Sequence, residues 1–204
     1  MVQLFLEGGE FMWPILGLLI VGLAFVIERF WTLTRASVNT RKFLSRIRIA
    51  LEQGGVAAAA EECEKTPGPV ASMIHAGLSR SDKGITHVEK AITTAGSLEM
   101  AFLERGMIVL STVIVLAPML GFTGTVWGMI AAFDAIKVQN DISPAIVASG
   151  ISQALLTTLF GLIVAMIIQV FNNYFTSRID KLIIDMEESS VELIEALADL
   201  EDKR

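Results

Sequence analysis

The chain has 204 residues, of which 53% are hydrophobic and 19% charged, with a formal net charge of −6 and a mean hydropathy of +0.60. This is the composition of a membrane protein, and its charges gather outside three long uncharged runs, leaving little material for an independent soluble catalytic domain. The acidic excess lies in the tail, where Asp180, Asp185, Glu187, Glu188, Glu192, Glu195, Asp199, Glu201 and Asp202 outnumber Arg178, Lys181, Lys203 and Arg204, so nothing supports nucleic-acid binding.

Residues 1–33 read as an outward N-terminus and a first membrane helix. Met1 to Glu10 carries Glu7 and Glu10 but no basic residue, unlike the start of a signal peptide, so the apolar run from Phe11 to Ile27 is expected to be retained. Residues 34–105 read as a cytoplasmic helical region. Val38 to Cys63 has helical spacing (Phe43, Ile47, Leu51) and is closed by Pro67, Gly68 and Pro69. Val70 to Leu78 predicts a short helix, and Ser81 to Gly84 a turn. Thr86 and Glu89 stand at capping-box spacing, predicting a helix that runs through Leu98 and Phe102 into the second membrane segment.

That second segment covers residues 106–135, and the third covers 143–177, joined by a short outward connection at 136–142. A bilayer core takes about 20 apolar helical residues. The uncharged runs Gly106 to Phe133 and Ile142 to Ser177 both exceed this, and at about 1.5 Å per residue the latter would extend roughly 54 Å. Both helices should project beyond the membrane. Residues 178–204 predict a C-terminal helix in which Ile179, Ile183, Met186, Leu193, Leu197 and Leu200 fall at heptad-like steps with Ser190 in the open position. Such a stripe serves either association between copies or packing on the chain's own helical region.

Basic residues set the orientation. Arg29, Arg35, Arg41, Lys42, Arg46 and Arg48 follow the first helix, Lys90 and Arg105 precede the second, and Arg178 and Lys181 follow the third, whereas Lys137 alone lies on the other side. The N-terminus is therefore expected outside and the C-terminus in the cytoplasm. Cys63 has no partner cysteine and stands among Glu61, Glu62 and Glu64, which disfavour a thiolate. His75 and His87 lack a metal-ligand pattern, and no G-x-S-x-G, P-loop or H-E-x-x-H is present. No enzymatic activity, cofactor or resident metal is expected.

The second segment holds Pro118, Gly121, Gly124 and Gly128, and the third Gly161, small or helix-bending residues that let backbones approach where lipid gives no hydrophobic drive. Both segments also carry hydroxyls and amides, among them Thr125, Gln153, Thr157, Thr158 and Gln169, that would be costly facing lipid. These groups serve either as glue between helices or as the lining of a hydrated path. Neither run contains a carboxylate.

The string APMLGFTGTVWGMIAAF (Ala117 to Phe133), followed by GISQALLTTLFGLIVA (Gly150 to Ala165), resembles the ExbB/TolQ/MotA family, the pore-forming subunits of ion-driven membrane motors. GGEFMWPILGLLIVGLAFVIERFWTL near the start, AGL (Ala76 to Leu78) and LERG (Leu103 to Gly106) extend the likeness over nearly the whole chain, and three membrane helices place it nearer ExbB and TolQ than MotA. The resemblance implies an all-α membrane protein forming a homopentameric pore in the bacterial inner membrane. It also implies a single-pass ExbD/TolR-like partner carrying a membrane aspartate, a TonB-like protein further on, and transport of H⁺ or Na⁺. Within the family, threonines on the second and third helices line the ion path; the matching positions are Thr125 and Thr158, with Thr157 adjacent but about 100° away. Gln153 departs from the pattern, standing where ExbB-type proteins often carry Glu, and an amide cannot exchange a proton as a carboxylate does. A passive membrane scaffold is the competing reading; a solute transporter is disfavoured because the chain lacks internal repeats.

Overall fold

The computed structural model describes residues 2–36, 39–139 and 144–202, and among them every regular element is helical. In chain order these are α1 (Val2–Glu7), α2 (Met12–Ala36), α3 (Thr40–Glu64), α4 (Pro69–Leu78), a 3₁₀ turn at Ser81–Lys83, α5 (Ile85–Glu104), α6 (Met107–Gln139) and α7 (Pro144–Asp202). The tracts Met12–Glu64, Ile85–Lys137 and Val147–Asp199 each contain a window long and apolar enough to cross a bilayer, with mean hydropathy of 1.9, 2.0 and 2.4. The 59 residues of α7 amount to about 88 Å measured along the helix, well over twice the hydrocarbon thickness.

Two compact units result, one from Met1–Glu28 with Gly106–Tyr174 and one from Arg29–Arg105 with Phe175–Arg204. In the first, α2, α6 and α7 pack through small residues. Gly22 of α2 faces Ile168 and Val113, so close that an added Cβ would lie 2.8 Å from the Ile168 side chain. Met12, Ile15, Val26, Leu110, Val113, Ala117, Val164 and Ile168 are buried, while Ile27, Ile108, Phe122, Leu155 and Val170 are each at least 65% exposed. A surface this apolar is the inverse of a soluble protein's and suits lipid or other membrane helices. α6 continues to Gln139, so Asp134 and Lys137 are helical, and α7 begins with Pro144 in the first turn, where a missing N–H costs nothing. Of the connection expected at 136–142, residues 140–142, including Asp141, lie outside the described residues.

The second unit has a conventional core of Phe43, Ile47, Leu51, Ala59, Cys63, Ile74, Leu78, Val88, Ile92, Met186, Leu193 and Leu197. The single helix expected over Val38 to Cys63 is corrected here. Val38 is outside the described residues, Asn39 caps α3 by accepting from the Lys42 amide, and Gly55 breaks the helix at φ 69, ψ −165. This conformation is open to glycine and strained for other residues. The chain reverses there. In a straight helix Arg46 and Glu62 would be about 24 Å apart, yet they form an ion pair at 3.0 Å.

The expected capping box also fails: Gly84 precedes the first helical residue, and no side chain bonds the α5 N-terminus. α5 runs on into the second membrane segment as expected, with a local interruption at Arg105 and Gly106, where Arg105 keeps helical dihedrals. Arg29, 5% exposed, donates from Nη1 to the Leu103 carbonyl at 3.0 Å, satisfying one of the acceptors a helix end leaves open.

In the C-terminal stripe the buried positions are Ile179, Leu182, Met186, Ser189, Leu193 and Leu197, with Ser189 rather than Ser190 as the polar member. Met186, Leu193 and Leu197 belong to the core formed with α3, α4 and α5, so the stripe packs within the protomer. The side chain of Leu200 lies outside the described residues. The Ser189 hydroxyl turns back to the Asp185 carbonyl, and Thr40 donates to the Asp185 carboxylate at 3.4 Å.

This packing can be tested at two places. An alanine Cβ at Gly161 would lie 2.5 Å from the Ala117 carbonyl oxygen, whereas nothing stands within 4 Å of a Cβ at Gly17. Gly161→Ala should therefore destabilise the protein by about 1–3 kcal/mol and Gly17→Ala should not, read as unfolding midpoints in detergent. Burial, aided by the charge of Glu62, pushes the Cys63 thiol up to about 12 from 9.0. The folded state thus favours the neutral thiol. Its contribution to stability is complete below pH 9.0 and is lost as pH rises through about 12. At about pH 8 the native thiol should resist maleimide until the protein is unfolded.

Candidate functional site

Thr157 and Thr158 lie on the contact between α6 and α7, and small residues explain how. On α6 the facing positions are Ala117, Gly121, Gly124, Gly128 and Ala132; on α7 they are Gly150, Ala154, Thr157 and Gly161. A Cβ added at Gly121 would lie 2.9 Å from the Thr157 carbonyl oxygen, one at Gly128 3.1 Å from the Gly150 carbonyl oxygen, and one at Gly150 2.5 Å from Ala132 Cβ. The two helices run antiparallel with backbones nearly touching, because at each level at least one partner lacks a bulky side chain. Pro118 lies within α6 beside Ala117; its missing N–H leaves a carbonyl one turn earlier without its usual helical donor.

This close approach decides where each hydroxyl goes. Thr158 reaches across to α6, its Oγ1 donating to the Gly121 carbonyl at 3.1 Å. Thr125 bonds within its own helix, donating to the Phe122 carbonyl at 2.6 Å. Gly121 and Phe122 are consecutive, so the two hydroxyls meet one turn of α6. Both side chains are half-buried. Each donates its proton and keeps oxygen lone pairs as acceptors, forming a neutral surface able to receive hydrogen bonds.

Thr157 is placed differently. It is 1% exposed, donates to the Ala154 carbonyl at 2.8 Å, and fills the space opposite Gly124, where a Cβ would lie 2.6 Å from its Oγ1. Its side chain is thus enclosed between the two helices.

Gln153, half-buried, is drawn to the N-terminal turn: a Cβ at Gly9 would lie 2.1 Å from its Nε2, and Gly9 has φ +75. Nothing in the sequence signals that these residues meet. The aromatic rings of Phe11 and Trp127, each close in sequence to residues of this contact, pack with centroids 6.1 Å apart. The small-residue line Ala117, Ala132, Gly150 and Ala154 is likewise easy to overlook beside the GxxxG pair, although its steps of three and four residues repeat along both helices.

No group of acidic, histidine and cysteine side chains able to hold a metal occurs among the described residues. The arrangement is that of a multi-pass membrane helix bundle whose closely packed α6–α7 pair presents hydroxyls and an amide without charge. Its sequence carries the identification further. The profile of the MotA/TolQ/ExbB proton channel family matches residues 65–188, more than half of the chain, and the chain belongs to that family.

Among its relatives, an ExbB homolog of biopolymer transport from Methanothermobacter thermautotrophicus is 34% identical over 180 residues, covering 88% of this chain and 64% of the relative. The biopolymer transport protein ExbB of Xanthomonas campestris is 34% identical over 137 residues, covering 67% of this chain and 51% of its own length. The Tol-Pal system protein TolQ of Pseudomonas aeruginosa is 35% identical over 96 residues, covering 47% and 42% respectively. The chain thus spans less than two thirds of the length of each of these three.

If the Gln153 amide and Gly9 compete for one space, Gly9→Ala should be destabilising, and part of that loss should return in the double variant with Gln153→Ala. The remainder, about 1 kcal/mol, reflects alanine at positive φ. A double-mutant cycle on detergent unfolding midpoints checks this; strict additivity would mean that the two residues do not interact.

Proposed function

We propose that this chain is the stator subunit of an ion-driven membrane motor, taking H⁺ or possibly Na⁺ through a path lined by Thr125 and Thr158. The observation that carries the reading is the pair of hydroxyls on consecutive carbonyls of α6, in a helix pair with no charged residue between Gly106 and Phe133 or between Gly150 and Ser177. Moving a proton across a membrane requires a titratable group. With none on these stretches, the group comes from a partner.

By its family resemblance, five copies of the chain enclose a single-pass ExbD/TolR-like helix pair bearing an aspartate. Ionised, that carboxylate accepts from water; protonated, it sheds most of its desolvation cost and can donate to the threonine oxygens, whose own protons are held by the α6 carbonyls. Alternating between the two states as ions enter and leave lets the partner helix step past successive subunits. The basic residues after α2 and around the α5–α6 break support a cytoplasmic side there and an outward N-terminus, in a bacterial inner membrane. The names of the relatives suit a client in biopolymer transport, such as TonB-dependent import, or in the Tol-Pal system. Gln153, packed against the N-terminal turn, is a neutral support of the path and no proton relay.

A passive scaffold is the second reading, favoured by the apolar exterior and the interleaved glycines, which serve assembly whether or not ions pass. Native mass of the protein co-expressed with its single-pass partner, followed by ion flux in proteoliposomes, separates the two. The motor requires a five-to-two complex whose flux falls about tenfold or more in Thr125→Val or Thr158→Val, with assembly intact. Unchanged activity in both variants would establish the scaffold instead.

A further inference from the structure

A second polar station lies on the same flank of α7 as Thr158. Thr157 and Ile168, 1% and 0% exposed, mark the side of α7 that faces the core of the unit. They are eleven residues apart, which returns the helix to within about 20° of the same direction. Thr158 and Gln169 each come one residue later, so both stand about 100° round from the core, on one line and about 16 Å apart along the axis.

At this second level the Gln169 Nε2 donates to the Asn173 Oδ1 at 2.7 Å, on the surface of the unit. Ile168 meets Gly22 there alongside Val113 of α6, so Gln169 lies at a level where three apolar helices pack together. Arg178, the first charged residue after it, is more than two turns further along. An exposed amide pair at such a level is costly against lipid, where nothing can complete its hydrogen bonds. The pair is an open one: each primary amide has two N–H donors and a carbonyl acceptor, and their mutual bond uses one donor and one lone pair.

Between the two stations the flank is apolar. Leu162 is 45% exposed and Met166 59% exposed, with Ala165 buried between them. Amides at one end, hydroxyls at the other and a hydrocarbon collar in the middle form an arrangement that holds water at both ends and sheds it between them.

We propose that Gln169 and Asn173 form a second ion station, hydrating the permeating ion beyond the collar at the end of α7's path away from Gln153. The assignment rests on the reading of the Thr158 flank as the ion path. An uncharged station is suited to hydrating a passing ion, because its carbonyl oxygens attract a hydrated cation, its N–H groups order the accompanying water, and without a fixed charge the ion is free to leave.

The test uses the complex with the single-pass partner in proteoliposomes, comparing Gln169→Leu and Asn173→Leu with Thr158→Val for flux and native mass. The expected result is a flux loss of about tenfold in each leucine variant, with the mass of the complex unchanged. Normal flux in both leucine variants while Thr158→Val is inactive overturns the station and leaves the threonine path standing. Normal flux in Thr158→Val overturns the underlying reading itself. Loss of the complex in the leucine variants makes the amides subunit glue and also overturns the station.

A second measurement does not depend on leucine being tolerated. Gln169→Cys in a Cys63→Ala background should react from water with a small cationic thiol reagent, and the modified protein should be blocked. An unreactive cysteine at that position places the side chain against lipid or protein and removes it from the path.

Discussion

The near-contact of α6 and α7 is the constraint on which the membrane unit depends. A hydroxyl on one helix can reach a backbone carbonyl of another only if the axes come unusually close, and Thr158 does so at 3.1 Å. Such closeness needs glycine or alanine at each crossing level, because a Cβ at Gly121, Gly124, Gly128 or Gly161 would lie between 2.5 and 3.1 Å from atoms of the facing helix. In lipid no hydrophobic force drives the helices together, so dispersion and interhelical hydrogen bonds must do it. The same residues that make the packing possible therefore fix where the polar groups point.

The sequence was legible wherever periodicity and composition act over many residues. Three membrane helices, the short α4 and the long α7 all follow from runs of apolar residues and from the Pro67, Gly68, Pro69 stop. It was illegible where one residue's backbone decides the chain direction. Gly54 and Gly55 sit in a stretch of good helix formers, and nothing local distinguishes a tolerated glycine from one that reverses the chain; only the folded chain, through its Arg46 to Glu62 ion pair, reveals it. Heptad spacing puts the tail stripe one residue out of register at two places, at Ile183 and Ser190 instead of Leu182 and Ser189. Two apolar neighbours on a helix compete for the core, and packing chooses between them.

The candidate site divides in the same way. That Thr125, Thr158 and the glycines belong together is visible in the family-like strings, because those strings are the helix contact itself. The distinction between Thr157 and Thr158 is not, since two adjacent threonines have equal propensity and polarity. Burial separates them: Thr157 is sealed against Gly124, and Thr158 crosses to Gly121. The meeting of Gln153 with Gly9 was hidden for another reason, as it joins residues 144 positions apart through a positive-φ turn that has no sequence signature beyond glycine.

A path without fixed charge has a physical advantage in a device that must let its moving part turn. A carboxylate held within the stator would bind a passing cation, or a partner's protonated acid, deeply at one position, and release would then limit the rate. Hydroxyl oxygens whose protons are already committed to the Gly121 and Phe122 carbonyls act as weak, fixed acceptors instead. In the proposed motor they would lower the barrier for a partner group at each subunit by a similar small amount and trap it at none. The backbone bonds that orient them also prevent the hydroxyls from rotating away, so this surface is organised before any partner arrives. On the proposed reading, the absence of acid between Gly106 and Phe133 and between Gly150 and Ser177 is what permits stepping, and the chemistry of proton exchange is left to the component that moves.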